Sequence, residues 1–304
     1  MTVLLLLQAL TIGPAVDSLV STKHFSGVVL IARGGAPAFE KAYGMADREA
    51  GRANNVETAF NLGSINKLFT QIAIRQLAAQ GKLDIDSTLG RYWPDYPNPA
   101  VRRVTLRQLL EHRGGLGGNI FDAPAGGKRS DIRKLGDFLP LFVNEPMRFE
   151  PGTEQQYSNA GYVVLGLLVE RLSGESYYAY VQKHIYALAG MTRTAHFAVD
   201  SLPENTAIGY TESGRNTDLL PGRGSSAGGG YSTAHDLLRL INALRDGKIP
   251  GAPKFAGMGI AGGAPGLNAV LETDLPGGYD LIVLANLDPP AAEQMMRSVK
   301  EKLR

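Results

Sequence analysis

The sequence predicts an α/β protein of the α+β type, with an antiparallel sheet built from both chain ends, flanking helices and an inserted, mainly helical lobe. Strand-like runs lie near the two ends of the chain, and helical patterns fill the middle. Short turns rather than helical crossovers join successive strands, which favours antiparallel pairing. We therefore predict a sheet lobe from 1–63 and 225–304, a helical lobe from 64–224, and a functional site in the cleft between them.

The chain begins with a short apolar run, MTVLLLLQAL. It has no preceding basic residue, is too short to span a bilayer, and is followed by no small-x-small cleavage site. We predict an amphipathic helix with Leu6, Leu10, Val16 and Leu19 on one side, packed on the body of the protein. We accordingly expect no membrane insertion and a cytoplasmic protein.

The remaining elements follow in order. SGVVLIARGG (26–35) and the alternating APAFEKAYGMAD after it predict a β-hairpin. A helix is expected from Ser64 to about Gln80, ending before Gly81. The last predicted helix is PAAEQMMRSVKEKLR, and Pro290 suits its first turn. Further helices or short helical segments are predicted in VTLRQLLEHRGG, SDIRKLGDFLPLFV, SNAGYVVLGLLVERLSG, SYYAYVQKHIYALAG and STAHDLLRLINALRDG, and strands in GLNAVLETD and YDLIVLANL.

Composition excludes several classes of protein. The 304 residues are enough for a well-buried core, and 44% are hydrophobic and 20% charged, as in folded soluble proteins. The absence of cysteine excludes disulfides, thiolate metal sites and a cysteine nucleophile. The 31 basic and 29 acidic residues are dispersed, so no nucleic-acid partner is expected.

Three familiar motifs occur in the wrong context. GSSAG (224–228) matches a nucleophile elbow, but no acidic residue separates it from His235, so a Ser-acid-His order is impossible. GMGIAG (257–262) is followed by Pro265 rather than a phosphate-binding helix. AGGKRS (125–130) lacks the spacing of a P-loop. The five histidines are scattered, and we expect neither a metal nor an organic cofactor.

A fourth motif fits its context. Ser64-Ile65-Asn66-Lys67 is the one S-x-x-K in the chain, and it opens a strong helix after a glycine. The serine and lysine fall one turn apart on the same helix face, where a desolvated lysine can take the serine proton. The alternative is a helix-capping Ser64 and a solvated Lys67.

Tyr157-Ser158-Asn159 lies at another helix start, after a Pro-Gly turn. A tyrosine beside a lysine can act as a second acid/base group, and an asparagine amide can hold a substrate carbonyl or the lysine. The alternative is a tyrosine that covers the core and an asparagine that caps the helix.

With these motifs in place, the chain resembles the serine β-lactamase and penicillin-binding-protein superfamily. Within it the chain resembles the class C-like branch, and in that branch it resembles the family VIII carboxylesterases most. The similar stretches cover nearly the whole chain in order: FSGVVLIARGG, KAYGMADRE, FNLGSINKLFT, VTLRQLLEHRGGL, EPGTEQQYSNAGYVVLGLLVERLSG, SAGGGYSTAHDLLRL, GGAPGLNAVLE and YDLIVLANLDPP.

The resemblance implies roles for particular residues. Ser64 would be the nucleophile, Lys67 and Tyr157 would handle its proton, and Asn159 would be an auxiliary polar residue. The backbone N–H groups of Ser64 and of the glycine-rich strand near Gly263 would form the oxyanion hole, in which one donor is typically worth about 3–4 kcal/mol.

Two departures from the family pattern bear on the substrate. The usual Lys-Thr-Gly triplet aligns with Ile260-Ala261-Gly262, so an apolar side chain replaces the cation that would hold a substrate carboxylate. The stretch from Gly247 to Gly259 is shorter than usual, which predicts a missing strand or loop and a more open cleft.

We therefore expect a serine hydrolase whose partner is a small-molecule substrate, a short-chain carboxylic ester. Weak β-lactam hydrolysis or acyl transfer is expected as a side activity. Two alternatives stay open. One is a β-lactamase or D-amino-acid peptidase, and the other is a protein that binds an acyl ligand or cell-wall fragment without turnover.

Overall fold

The protein is described by a computed structural model that covers residues 3–252 and 257–303, with side chains from residue 13 onward. The strands are β1 Gly27–Arg33, β2 Ala36–Tyr43, β3 Met45–Asp47, β4 Arg52–Ala53, β5 Phe60–Asn61, β6 Tyr210–Thr211, β7 Gly214–Arg215, β8 Tyr231–Ser232, β9 Gly259–Ala264, β10 Leu267–Leu275 and β11 Tyr279–Ala285. The α-helices are α1 Val3–Lys23, α2 Lys67–Ala79, α3 Leu89–Tyr92, α4 Pro99–Arg102, α5 Leu106–Leu110, α6 Asn159–Ser173, α7 Tyr177–Val181, α8 Ala187–Ala189, α9 Ala234–Arg245 and α10 Ala291–Lys302. The 3-10 segments are Gly63–Asn66, Arg129–Asp131, Leu135–Leu141, Val199–Ser201 and Thr217–Leu219, and Gln182–Tyr186 forms a π turn.

A five-stranded antiparallel sheet joins the two ends of the chain in the order β2-β1-β11-β10-β9. Gly27 in β1 lies opposite Ala285 in β11, and β1 also pairs with β2 in the predicted hairpin. The predicted fold class is therefore confirmed.

The central strands β1 and β11 of this sheet are buried on both faces. Val28 and Leu30 of β1 point into the larger core cluster with the central helices, whereas Val29 and Ile31 point into a smaller cluster with residues of α1 and α10. Because neighbouring residues of a strand face opposite sides, a strand buried on both sides must be apolar throughout. This explains the unbroken run VVLIA.

An amino-terminal helix is present and packs on the body as predicted, but the apolar residues in its sequence are spread around the helix rather than along one side. Val16 is fully buried in the smaller cluster, and Leu19 packs against it. The side chains of Leu6 and Leu10 lie outside the described residues. None of the helices in the described ranges combines the length and apolar character needed to cross a membrane.

Central helices α2 and α6 form much of the larger core, and α6 ends at Gly174 in the left-handed conformation (φ 76°) that glycine tolerates. The segment SDIRKLGDFLPLFV differs from a regular helix: it forms 3-10 turns, with Pro140 inside the second. Proline lacks the N–H that an α-helix needs there. The proposed division at 63/64 and 224/225 stays a prediction.

Edge strand β9 packs against the 3-10 turn Gly63–Asn66, which leads directly into α2. The fold thus brings the carboxyl-terminal part of the sheet to the start of a central helix. The predicted shortening between Gly247 and Gly259 involves residues 253–256, which lie outside the described residues.

Candidate active site

Ser64 lies in the 3-10 turn between β5 and α2. Gly63 has a left-handed backbone (φ 49°), and a Cβ there would lie 2.8 Å from the backbone N of Gly263. Glycine is therefore needed for the turn to approach β9 closely. Ser64 lines the pocket between these elements.

Lys67 begins α2, one turn after Ser64, and its side chain is almost completely buried. Its Nζ lies 3.1 Å from Ser64 Oγ, 2.8 Å from Asn159 Oδ1 and 2.6 Å from the carbonyl oxygen of Ala227. Burial lowers the pKa of the Lys67 amine to about 7. A shift of that size disfavours the ammonium form by about 5 kcal/mol, so a large share of Lys67 is neutral near pH 7.

Tyr157 completes the cluster. Its hydroxyl donates a hydrogen bond to Ser64 Oγ over 2.6 Å, and its ring lies 4.7 Å from Lys67 Nζ. Burial raises the pKa of the phenol, and the hydrogen bond to Ser64 offsets this only in part. Although 53% of the residue is exposed, the hydroxyl is directed inward, and it stays protonated at neutral pH.

Asn159 opens α6, as the motif predicts. Ser158 caps that helix by accepting a hydrogen bond from the N–H of Gly161 at 3.2 Å. The cap fixes the start of the helix, which directs Asn159 Oδ1 at Lys67 and places Asn159 in the pocket lining. Both sequence motifs therefore meet at one point.

The glycine-rich strand lies where the resemblance expects it. A Cβ on Gly262 would stand 2.7 Å from the backbone N of Ser64, and Gly263 lines the pocket. Ile260 is half-buried, packs against the larger core cluster and is absent from the described pocket lining. The substrate-binding role of Ile260 and the oxyanion-hole roles of the two glycines stay predictions.

The GSSAG segment at 224–228 is not an exposed elbow. Ser226 is fully buried, and its hydroxyl donates to the carbonyl oxygen of Tyr162 at 2.8 Å. The same segment nevertheless contributes to the site, because the Ala227 carbonyl accepts from Lys67. Sequence reasoning missed this role, since no side-chain pattern marks a backbone acceptor 160 residues away.

The pocket beside Ser64 is mostly apolar and has a volume of about 470 Å³ including its open mouth. Among the described residues, its lining contains no lysine, arginine or histidine. An anionic group would find no countercharge on these walls. The lining consists of Asn61, Gly63, Ser64, Ile120, Phe121, Phe138, Asn159, Leu220, Pro221, Ser225, Ala227, Gly228, Gly229, Gly263, Ala264 and Leu267.

His112 is a second neighbour that sequence reasoning missed. Its ring stacks on that of Tyr157, with centroids 4.5 Å apart, and contacts that of Tyr162 at 5.0 Å. Its position within the stretch VTLRQLLEHRGGL, which resembles the family, was the available signal.

Over residues 3–252 and 257–303, no group of three or more histidine, aspartate or glutamate side chains could hold a metal ion.

The five-stranded antiparallel sheet with its flanking helices is that of a beta-lactamase-like serine hydrolase. The family described as Beta-lactamase matches residues 14–283. The chain belongs to this family, within the beta-lactamase and transpeptidase-like superfamily.

Similar proteins include both penicillin-binding proteins and an esterase. Putative penicillin-binding protein PbpX of Bacillus subtilis is 30% identical over 86% of this chain and 70% of its own length. Esterase EstB of Burkholderia gladioli, a family VIII esterase, is 31% identical over 87% of this chain and 76% of its own. A penicillin binding protein from Bacillus halodurans has a similar crystal structure, with a TM-score of 0.83, 32% identity and coverage of 95% of this chain and 100% of that one.

Proposed function

We propose that the protein hydrolyses short-chain, neutral carboxylic esters through an acyl-enzyme formed on Ser64. One observation carries the proposal: Ser64 Oγ lies 3.1 Å from a desolvated amine and 2.6 Å from a phenol at the edge of an apolar pocket. A serine hydroxyl needs such a base to become a nucleophile. The similarity to Esterase EstB supports the ester as substrate.

The hydrogen bonds around Lys67 favour it as the base in the resting enzyme. A neutral amine has two N–H groups and one lone pair, and the oxygens of Asn159 and Ala227 can only accept. Both N–H groups are used by these two acceptors, which leaves the lone pair for the hydroxyl proton of Ser64. The lowered pKa of Lys67 and the raised pKa of Tyr157 agree with a neutral amine beside a neutral phenol.

The reaction then proceeds in two halves. The Ser64 proton passes to Lys67 as Oγ bonds to the ester carbonyl carbon, and the carbonyl oxygen takes the negative charge between the N–H groups of Ser64 and Gly263. The carbon–alkoxide bond breaks as the alkoxide takes the Tyr157 proton, which Lys67 replaces. Water next adds to the acyl carbon and gives one proton to the Lys67–Tyr157 pair. The bond between the acyl carbon and Ser64 Oγ then breaks, which releases the carboxylic acid, and Oγ takes that proton back from the pair. An incoming alcohol in place of water would give acyl transfer.

The pocket favours a neutral substrate over an anionic one. Its described lining offers Leu220, Phe121 and Ile120 but no cation, and a hydrogen bond to a charged group is worth about 1.5–3 kcal/mol. We expect weak β-lactam hydrolysis at most. The second candidate, a β-lactamase or D-amino-acid peptidase, is favoured by the similarity to PbpX.

A comparison of rates across substrates tests this proposal. We expect p-nitrophenyl acetate and butyrate to be cleaved with a kcat/KM roughly 10-fold or more above that for a chromogenic cephalosporin or a D-alanyl-D-alanine peptide. Faster turnover of either anionic substrate would favour the second candidate. Intact-mass measurement after exposure to the ester distinguishes these two enzymes from a protein that only binds its ligand. A lasting adduct on the protein without turnover would overturn hydrolysis.

A further inference from the structure

His112 holds the chain on both sides of Tyr157. Its carbonyl oxygen accepts a hydrogen bond from the N–H of Gln156 at 2.9 Å. Its ring Nδ1 accepts another from the N–H of Ser158 at 3.2 Å. Tyr157 lies between these two anchored residues, so the position of its backbone is tied to one histidine.

The imidazole also supports the Tyr157 ring. The two ring planes are only 28° apart with centroids at 4.5 Å, and the same imidazole packs on Tyr162. Stacked rings of this kind attract each other beyond the effect of the apolar area that they bury. About half of Tyr157 is exposed to solvent. Stacking on His112 therefore restricts a Tyr157 ring that has no packing on its exposed side.

The histidine performs this role in its neutral form. Burial and the nearby charge of Lys67 lower the pKa of His112 to about 4. Nδ1 therefore keeps its lone pair for Ser158 over the pH range in which Lys67 changes charge. A protonated ring could not accept this hydrogen bond.

We propose that His112 is a positioning residue that acts through Tyr157, setting the phenol hydroxyl at bonding distance from Ser64 Oγ. This role rests on the proposed function, because it matters for catalysis only if Tyr157 moves a proton. A displacement of about 1 Å in such a group can cost as much as 10²-fold in rate.

His112→Asn separates the ring from the other features of this residue. Asparagine tolerates the left-handed backbone found here (φ 58°), and its side-chain oxygen can accept from Ser158, but the aromatic face is lost. We expect kcat for ester hydrolysis to fall about 10- to 100-fold with KM nearly unchanged. The matched control is His184→Asn, which removes a ring packed on Tyr180 and should leave kcat unaltered.

A double-mutant cycle distinguishes positioning from general destabilisation. In a Tyr157→Phe background the hydroxyl is already gone, so adding His112→Asn should lower kcat no further. Equal losses in the two backgrounds would overturn the proposal. If His112→Asn does not fold, as judged by thermal unfolding, His112→Gly takes its place in the cycle, because glycine tolerates the left-handed backbone at this position and also lacks the ring.

The positioning proposal and the esterase proposal can be tested separately by measuring the rate at which a fluorophosphonate labels Ser64. Slow labelling in His112→Asn, with no ester turnover by the parent protein, would sink the esterase proposal and support positioning. Normal labelling and normal kcat in His112→Asn would overturn positioning alone. No labelling of the parent protein would overturn both.

Discussion

Gly262 of β9 and Ser64 are in direct backbone contact. A Cβ on Gly262 would lie 2.7 Å from the N atom of Ser64 and 2.1 Å from the carbonyl oxygen of Leu62. The Ser64 nitrogen and the Leu62 oxygen both belong to the backbone around Ser64. They could make room for a Cβ only if β9 or the turn that carries Ser64 shifted. The distance between the two N–H donors of the proposed oxyanion hole therefore depends on a glycine at this position.

Gly262→Ala should lower kcat for ester hydrolysis by about 10²–10³-fold, because the strand must retreat and weaken one oxyanion donor. Gly259→Ala is the matched control on the same strand, since within residues 3–252 and 257–303 the one atom close to its Cβ would be a side-chain carbon of Glu272 at 3.9 Å. It should retain near-parental activity. Comparable activity in both variants, measured with p-nitrophenyl butyrate, would contradict the proposed role of this contact.

Ser64→Ala should abolish ester cleavage and leave the fold intact, as judged by circular dichroism and thermal unfolding. Ser226→Ala is the informative comparison, since it changes the serine of the GSSAG motif. We expect it to cost about 1 kcal/mol of stability through the lost hydrogen bond to Tyr162, and to keep its activity. Activity that survives in Ser64→Ala and disappears in Ser226→Ala would move the nucleophile to Ser226.

Lys67→Ala and Tyr157→Phe should each lower kcat by about 10²–10⁴-fold if both groups take part in proton transfer. Burst kinetics with p-nitrophenyl acetate then show which half-reaction is slowed. A near-normal kcat in either variant would remove that residue from the mechanism.

Local patterns predicted much of the fold because its elements carry clear signals. The hairpin at 26–43 is marked by an apolar run and a Gly-Gly turn, and α2 by helical spacing and Gly81. The 3-10 form of Leu135–Leu141 was not predicted, because apolar spacing over so few residues does not distinguish 3-10 from α geometry.

The parts of the site that could be predicted are those whose residues are close together in the sequence. Ser64 and Lys67 are one turn apart, so their meeting follows from helix geometry. Their contact with Tyr157 was a hypothesis from residue chemistry that the family resemblance strengthened, since nothing local relates residues 93 positions apart. The contributions of Ala227 and His112 were missed because a carbonyl and a stacked ring acquire their roles only through tertiary packing.

The pH dependence of kcat/KM should report the charge of Lys67. The amine must be neutral to take the serine proton, and its pKa is lowered to about 7. Activity should therefore rise with pH through a midpoint near pH 7 and level off about one pH unit higher. His112, with its pKa lowered to about 4, cannot produce this limb. A midpoint near the ordinary lysine value of about 10.4, measured between pH 5 and 11, would show that Lys67 is solvated in the free enzyme.

His235 should make a pH-dependent contribution to stability at a distinct place in the fold. It lies in the first turn of α9, where Nδ1 is 2.6 Å from a carboxylate oxygen of Glu57 and Nε2 bonds Glu40 of β2. Desolvation alone would lower its pKa, but the hydrogen bonds to Glu57 and then Glu40 outweigh it and raise the pKa. Arg193 also lies near Glu57, at 3.4 Å.

Because the folded-state pKa is raised, the stability that His235 contributes is complete below its unfolded value of about 6.5 and is lost as pH rises through the folded value. His235→Gln should therefore lower the free energy of unfolding more at pH 6 than at pH 9, as measured by urea denaturation. His24→Asn, at an exposed histidine, is the control and should show no such difference. An equal loss at both pH values would mean that the His235 ring is not charged between the two glutamates.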